Sequence, residues 1–73
     1  MEALPYVRLA NEIAVQFRHW EPGEAAAEIA AHLRSFWDPR MRTQLIAHVE
    51  AGGAGLDVLI IDVVALLREQ KVH

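Results

Sequence analysis

Cysteine is absent from this 73-residue chain. Neither a disulfide framework nor a thiolate metal site can therefore stabilise it, and a cysteine nucleophile is excluded. Serine and threonine occur once each, as Ser35 and Thr43, and neither lies in a turn typical of a nucleophile. A chain without cysteine fits a reducing compartment, and we expect a cytoplasmic protein.

Long apolar runs are also missing. The longest outside the alanines extends from Val58 to Leu67 and is interrupted by Asp62. It is about half of the roughly 20 residues that a membrane-spanning helix needs. The first residues, Met1 to Leu4, lack the positive and apolar regions of a secretory signal. We therefore expect a soluble domain with no membrane contact.

Positive charge is scarce, with seven Lys and Arg against ten Asp and Glu and a net charge of −3. This balance argues against nucleic-acid binding. Residues 34–42 nevertheless contain three arginines and one aspartate, a local charge of +2, so the rest of the chain sums to −5. The positive charge is thus concentrated in one short stretch.

Apolar residues recur three or four positions apart in four segments, a spacing typical of amphipathic helices. We expect a first helix over about 5–19 and a second from Pro22. The third should begin with Asp38 as its N-cap and stop at the glycine pair 52–53. Asp57 is the predicted N-cap of the fourth.

The last segment, "VLIIDVVALL", fits either a buried strand or a helix. Nothing else in the chain resembles a strand, and one strand cannot form a sheet, so we predict a helix. The predicted fold is all-α, a compact small bundle of about four short helices in a single domain, residues 1–73. The hydrophobic content of 53% suggests burial against another chain, including self-association of the isolated protein.

The stretch "FWDPRMR", residues 36–42, joins two aromatic residues, a helix boundary and two arginines. Two interpretations remain open. In the first, Phe36 and Trp37 close the core and the arginines are solvated, since Phe36 lies on the apolar stripe of the second helix. Alternatively the stretch docks a partner, because Trp, Met and Arg are enriched at protein interfaces. The candidate partner-binding residues are His32, Arg34, Trp37, Asp38, Pro39, Arg40, Met41 and Arg42.

Catalytic and metal-binding patterns are not indicated. No two of the four histidines are three or four residues apart; they are His19, His32, His48 and His73. Asp62 is best interpreted as the solvent-facing edge of a helix, although a carboxylate in an apolar run is also a candidate acid or base. The segment "AGGAGLD" lacks the lysine and spacing of a phosphate-binding loop. We therefore predict that the chain is no enzyme and carries no cofactor or metal.

The sequence resembles the delta subunit of cytoplasmic NAD-dependent formate dehydrogenases. The similarity lies in "IAAHLRSFWDPRMRTQL", in "AHVEAGGAGLD" and in the N-terminal "VRLANEI", and it covers about residues 6–57. Matching positions include Asn11, His48 and Gly55. The family often has a proline where this chain has Val58.

The resemblance implies a noncatalytic accessory subunit of an oxidoreductase. Its partners would carry a molybdenum or tungsten bis-pterin guanine dinucleotide, iron–sulfur clusters and flavin. The implied role is docking on the catalytic (alpha) subunit and supporting assembly, stability or cofactor retention. An alternative is an assembly factor that binds the anionic molybdenum cofactor or guanine nucleotide directly, through Arg40 and Arg42 with Trp37 stacked on the base.

Overall fold

Proline marks the start of the first three helices. The computed structural model describes residues 4–69. In each of these helices proline occupies the first turn, where its missing N–H leaves no hydrogen bond unmade. The helices are α1 (Pro5–Gln16), α2 (Pro22–Phe36) and α3 (Pro39–Glu50).

The last segment is a helix, α4 (Val58–Glu69), in spite of its β-branched residues. Asp57 caps it as predicted, since its Oδ1 accepts a hydrogen bond from the Leu59 amide at 2.9 Å. The predicted all-α class is therefore confirmed for the part of the chain that the structure describes.

The core lies between α2 and α4, which pack against each other more extensively than any other pair. The alanines of α2 allow this close approach, and the radius of gyration of 11.3 Å matches the value of about 11 Å for a folded chain of this size. The largest fully buried side chains are Ile29, Leu33, Leu45, Ile60, Val63 and Val64. Between residues 4 and 69, no helix combines the length and apolarity needed to cross a membrane.

Two predictions are wrong in detail. α1 ends at Gln16 rather than near residue 19, because the following residues turn with short-range bonds, such as that from the Trp20 amide to the Phe17 carbonyl at 3.0 Å. Phe36 is not in the core but 76% exposed. The chain leaves the helix at Trp37, whose ψ is 142°, and Trp37 packs against the core instead.

The glycine pair ends α3 as predicted. The Gly52 amide donates to the Val49 carbonyl at 3.0 Å and the Gly53 amide to the His48 carbonyl at 2.9 Å, the bonds of a Schellman motif. Gly53 has a φ of +67°, and a Cβ there would lie 2.8 Å from Cδ1 of Ile61. This position therefore requires glycine for its backbone, while an added Cβ would also force the end of the Ile61 side chain to move.

The same substitution at two glycines should have opposite effects. Gly53→Ala is expected to lower the free energy of unfolding by about 1–2 kcal/mol, from the left-handed backbone and the contact with Ile61. Gly23→Ala should raise it by about 0.5–1 kcal/mol, because Gly23 is helical and its added Cβ would meet nothing closer than 3.6 Å. Urea unfolding of both variants checks the pair. Equal effects would contradict the role assigned to Gly53.

Candidate functional site

The α2–α3 corner, residues 36–42, is shaped first by Asp38. Its backbone is extended, with a ψ of 136°, as the residue before a proline requires. Its Oδ1 accepts a hydrogen bond from the Arg40 amide at 2.7 Å, which confirms the predicted N-cap. Thr43 adds a bond from its Oγ1 to the Pro39 carbonyl at 3.0 Å. The start of α3 is therefore fixed by local contacts.

Arg42 joins the two helices of the corner. Its Nη1 donates to three carbonyl oxygens at the end of α2, those of Leu33 (3.1 Å), Arg34 (3.2 Å) and Trp37 (2.8 Å). The Leu33 carbonyl also accepts from the Trp37 amide at 3.0 Å, whereas other carbonyls in the last turn of a helix lack a partner within it. The negative end of the helix dipole favours a cation there. Arg42 thus acts as a C-terminal cap supplied from the next helix. Contact between Arg42 and a partner protein stays a prediction.

Arg40 has a different environment from Arg42, two residues away. Its side chain is exposed, and its guanidinium makes no hydrogen bond or ion pair with any residue between 4 and 69. The two arginines therefore do not form a ready-made pair for one external anion. Arg40 is the one whose charge remains available to a partner.

Two exposed aromatic rings lie on the last turns of α2, before the corner. The rings of His32 and Phe36, one helical turn apart on α2, have centroids 4.9 Å apart and an interplanar angle of 41°. Both side chains are exposed. We call His32, Phe36 and Arg40 the corner surface. The other predicted site residues are exposed (Arg34, Asp38, Pro39) or half-buried (Trp37, Met41, Arg42).

Sequence reasoning missed the role of Asn11. Its Nδ2 donates to the Gly55 carbonyl at 2.8 Å, and its Oδ1 accepts from the Asp57 amide at 2.8 Å. The side chain thus fixes the glycine connector to α1 across more than 40 residues of sequence. The signal that pointed to it was its place among the positions of the family resemblance.

The three histidines within residues 4–69 belong to no metal-binding group. His19 and His32 are exposed, whereas His48 is half-buried, with Nε2 2.7 Å from the Ala54 carbonyl and its ring edge-on to Tyr6. His73 lies outside the described residues. Among residues 4–69, no group of three or more His, Asp or Glu side chains is arranged to hold a metal ion.

The fold and the corner define a small all-α protein. Its most distinctive motif forms the turn between two helices, which side-chain hydrogen bonds hold in place, and exposes aromatic and cationic groups to solvent. The family model described as the NADH-dependent formate dehydrogenase delta subunit, FdsD, matches residues 6–64, more than half of the chain. The chain belongs to this FdsD family, and the resemblance found in the sequence is confirmed. No curated protein and no solved structure matches it.

Proposed function

We propose that this chain is a noncatalytic delta subunit that docks on the catalytic subunit of an NAD-dependent formate dehydrogenase through the corner surface. Docking there would support assembly, stability or cofactor retention. Membership of the FdsD family implies partner subunits. The observation that carries the choice of surface is the 76% exposure of Phe36 on a corner held rigid from within.

Exposure of one apolar side chain is common and by itself means little. Phe36 differs because its ring lies against His32 and because Arg40 stands at the start of the next helix. Aromatic residues and arginine are enriched where proteins bury surface against each other, whereas Lys and Glu are depleted. Burying a phenylalanine side chain contributes about 1.5–3 kcal/mol. The corner surface therefore has the composition of an interface anchor.

The rigidity of the corner also favours binding. Ordering flexible groups at an interface costs about 0.5–1.5 kcal/mol for each immobilised side chain. Asp38 and Arg42 already fix the backbone between the two helices. The motif "FWDPRMR" thus divides into residues that hold the corner and residues that face outward, of which Phe36 and Arg40 are the exposed large ones.

Under this proposal the redox groups belong to the partner subunits. The chain has no cysteine to ligate an iron–sulfur cluster. The molybdenum or tungsten cofactor and the flavin would likewise be carried by the partners. Direct handling of the anionic cofactor would use Arg40 and Arg42 together, but the Nη1 of Arg42 is engaged with the end of α2. Docking is therefore the better-supported function.

The double variant Phe36→Ala with Arg40→Ala is expected to bind the catalytic subunit at least tenfold more weakly, because hot-spot residues at interfaces each contribute more than about 1 kcal/mol. Its unfolding should match that of the unaltered chain, since both side chains are exposed. Biolayer interferometry on the purified subunits measures the affinity. The matched control is Arg8→Ala with Leu9→Ala, which removes an exposed arginine and an exposed apolar residue from α1.

An unchanged affinity in the Phe36/Arg40 variant would overturn the proposal, as would an equal loss in the α1 control. Binding of a guanine nucleotide to the isolated chain, lost on Arg40→Ala, would favour the cofactor-handling function instead.

A further inference from the structure

A second surface lies at the opposite end of α2 from the corner. An open groove of about 240 Å³ lies there, lined by the end of α1 and by the first turns of α2 and α4. Its walls are mainly apolar. The lining residues that matter for its chemistry are Phe17, Arg18, Trp20, Asp57, Val58 and Asp62.

Large apolar side chains remain exposed along this groove. Trp20 is 43% exposed and packs edge-on against Phe17, with ring centroids 4.9 Å apart. Val58, at the start of α4, is 76% exposed. Contiguous apolar surface with a polar rim marks interaction sites on soluble proteins. The exposed apolar side chains of the groove thus lie together, as at a protein-binding site, and are not scattered singly over the surface.

The size of the groove restricts its occupant. Sites for drug-sized ligands and cofactors have volumes of about 300–1,000 Å³. At about 240 Å³ the groove is smaller than this range and suits a few apolar side chains of a protein segment. A dinucleotide or flavin would extend beyond the volume that the walls of the groove surround.

The charge of the groove selects the partner further. Two carboxylates, those of Asp57 and Asp62, line it with one cation, Arg18. Oδ2 of Asp57 is 4.0 Å from Nη2 of Arg18, whereas the carboxylate of Asp62 makes no ion pair or hydrogen bond with any other residue of the range 4–69. The exposed Asp62 therefore favours a segment that carries lysine or arginine beside its apolar anchor. The corner surface, with Arg40, has the opposite preference.

We propose that the groove binds an amphipathic segment of a partner protein, with an apolar anchor against Trp20 and Val58 and a lysine or arginine facing Asp62. This segment is distinct from the surface that the corner contacts. Pro22 and Phe36 mark the two ends of α2, about 21 Å apart along its axis. The chain therefore joins two protein surfaces of opposite charge.

Site-directed cross-linking tests the groove in the assembled complex. Because the chain has no cysteine, Val58→Cys and Phe36→Cys each create one attachment site for a benzophenone maleimide before the labelled chain is added to the other subunits. Leu9→Cys on α1 is the control. We expect Val58→Cys to cross-link to a segment with an apolar residue flanked by lysine or arginine, different from the segment reached from Phe36→Cys.

The outcomes separate the two proposals. Cross-links from Val58→Cys only to a second copy of this chain, or none above the Leu9→Cys control, would overturn the groove proposal even if Phe36→Cys reacts with the catalytic subunit. Conversely, a basic segment captured at Val58→Cys with nothing captured at Phe36→Cys would support the groove and contradict docking through the corner.

The charge requirement has its own measurement. Adding Asp62→Lys to Val58→Cys should reduce the cross-link yield about fivefold, whereas Glu12→Lys, an equal charge change at an exposed site on α1, should leave the yield unchanged. Equal yields from the two variants would overturn the assignment of a basic partner segment.

Discussion

Replacing Arg42 by alanine is expected to lower the free energy of unfolding by about 2–3 kcal/mol, because hydrogen bonds from a charged donor contribute about 1.5–3 kcal/mol. The variant loses all three bonds to the end of α2, two of them to the part-buried carbonyls of Leu33 and Trp37. A domain this small has a total stability of only a few kcal/mol. Thermal unfolding by circular dichroism should show a midpoint lower by about 10–20 °C.

Arg40→Ala is the matched control, since it removes the same side chain two residues away. Its guanidinium makes no hydrogen bond or ion pair with another residue of the range 4–69, so we expect a change below about 0.5 kcal/mol. Arg42→Lys should lie between the two, because an ammonium group keeps the charge but not the planar fork of donors. Equal stabilities of Arg40→Ala and Arg42→Ala would contradict the capping role.

The contrast between the two arginines affects how docking experiments are read. Arg42→Ala should also weaken binding to the catalytic subunit, because the corner surface loses its support. That loss would report folding rather than direct contact. Only Arg40, whose removal leaves the fold intact, tests contact with a partner through charge.

Asn11→Ala should cost about 2 kcal/mol, the second-largest effect we expect, because it leaves the part-buried Asp57 amide without an acceptor. It also frees the Gly55 carbonyl and so loosens the connector that precedes α4. Urea unfolding measures the loss. Hydrogen exchange should show the largest local change at the Asp57 amide, beyond that caused by lower global stability.

Asn11→Asp separates the two bonds, since a carboxylate still accepts from the Asp57 amide but cannot donate to the Gly55 carbonyl. We expect a smaller loss of stability than for alanine and protection of the Asp57 amide. Glu12→Ala, at the exposed neighbouring position, is the control. An Asp57 amide that exchanges equally in Asn11→Ala and Glu12→Ala would contradict the proposed contact.

Most helix boundaries could be predicted from the sequence because their signals are local, whereas the end of α1, which has no such signal, was predicted about three residues too late. Proline at a first turn, Asp38 and Asp57 as N-caps and the glycine pair at 52–53 each act within a few residues. The class of fold followed from the same signals. The family could be recognised because the corner motif is both long and specific.

The contacts between segments could not be predicted in the same way. Periodicity places Phe36 on the apolar stripe of α2, but which of Phe36 and Trp37 enters the core depends on where the helix ends. Because Arg42 and Asn11 are polar, the sequence alone predicts that their side chains face solvent. Their hydrogen bonds to carbonyl groups of other segments are known only from the structure. The groove has no sequence signature, because its walls come from three separate helices.

Neither tryptophan is fully buried, and each belongs to a different surface. Trp20 lines the groove, and Trp37 lies half-buried at the corner, while the fully buried core is built from aliphatic side chains. Indole fluorescence responds to the polarity around the ring. With Trp37→Phe or Trp20→Phe in place, the remaining emission reports on one surface alone. The protein therefore carries its own optical probe at each end of α2, and the order in which its partners arrive can be followed without a label.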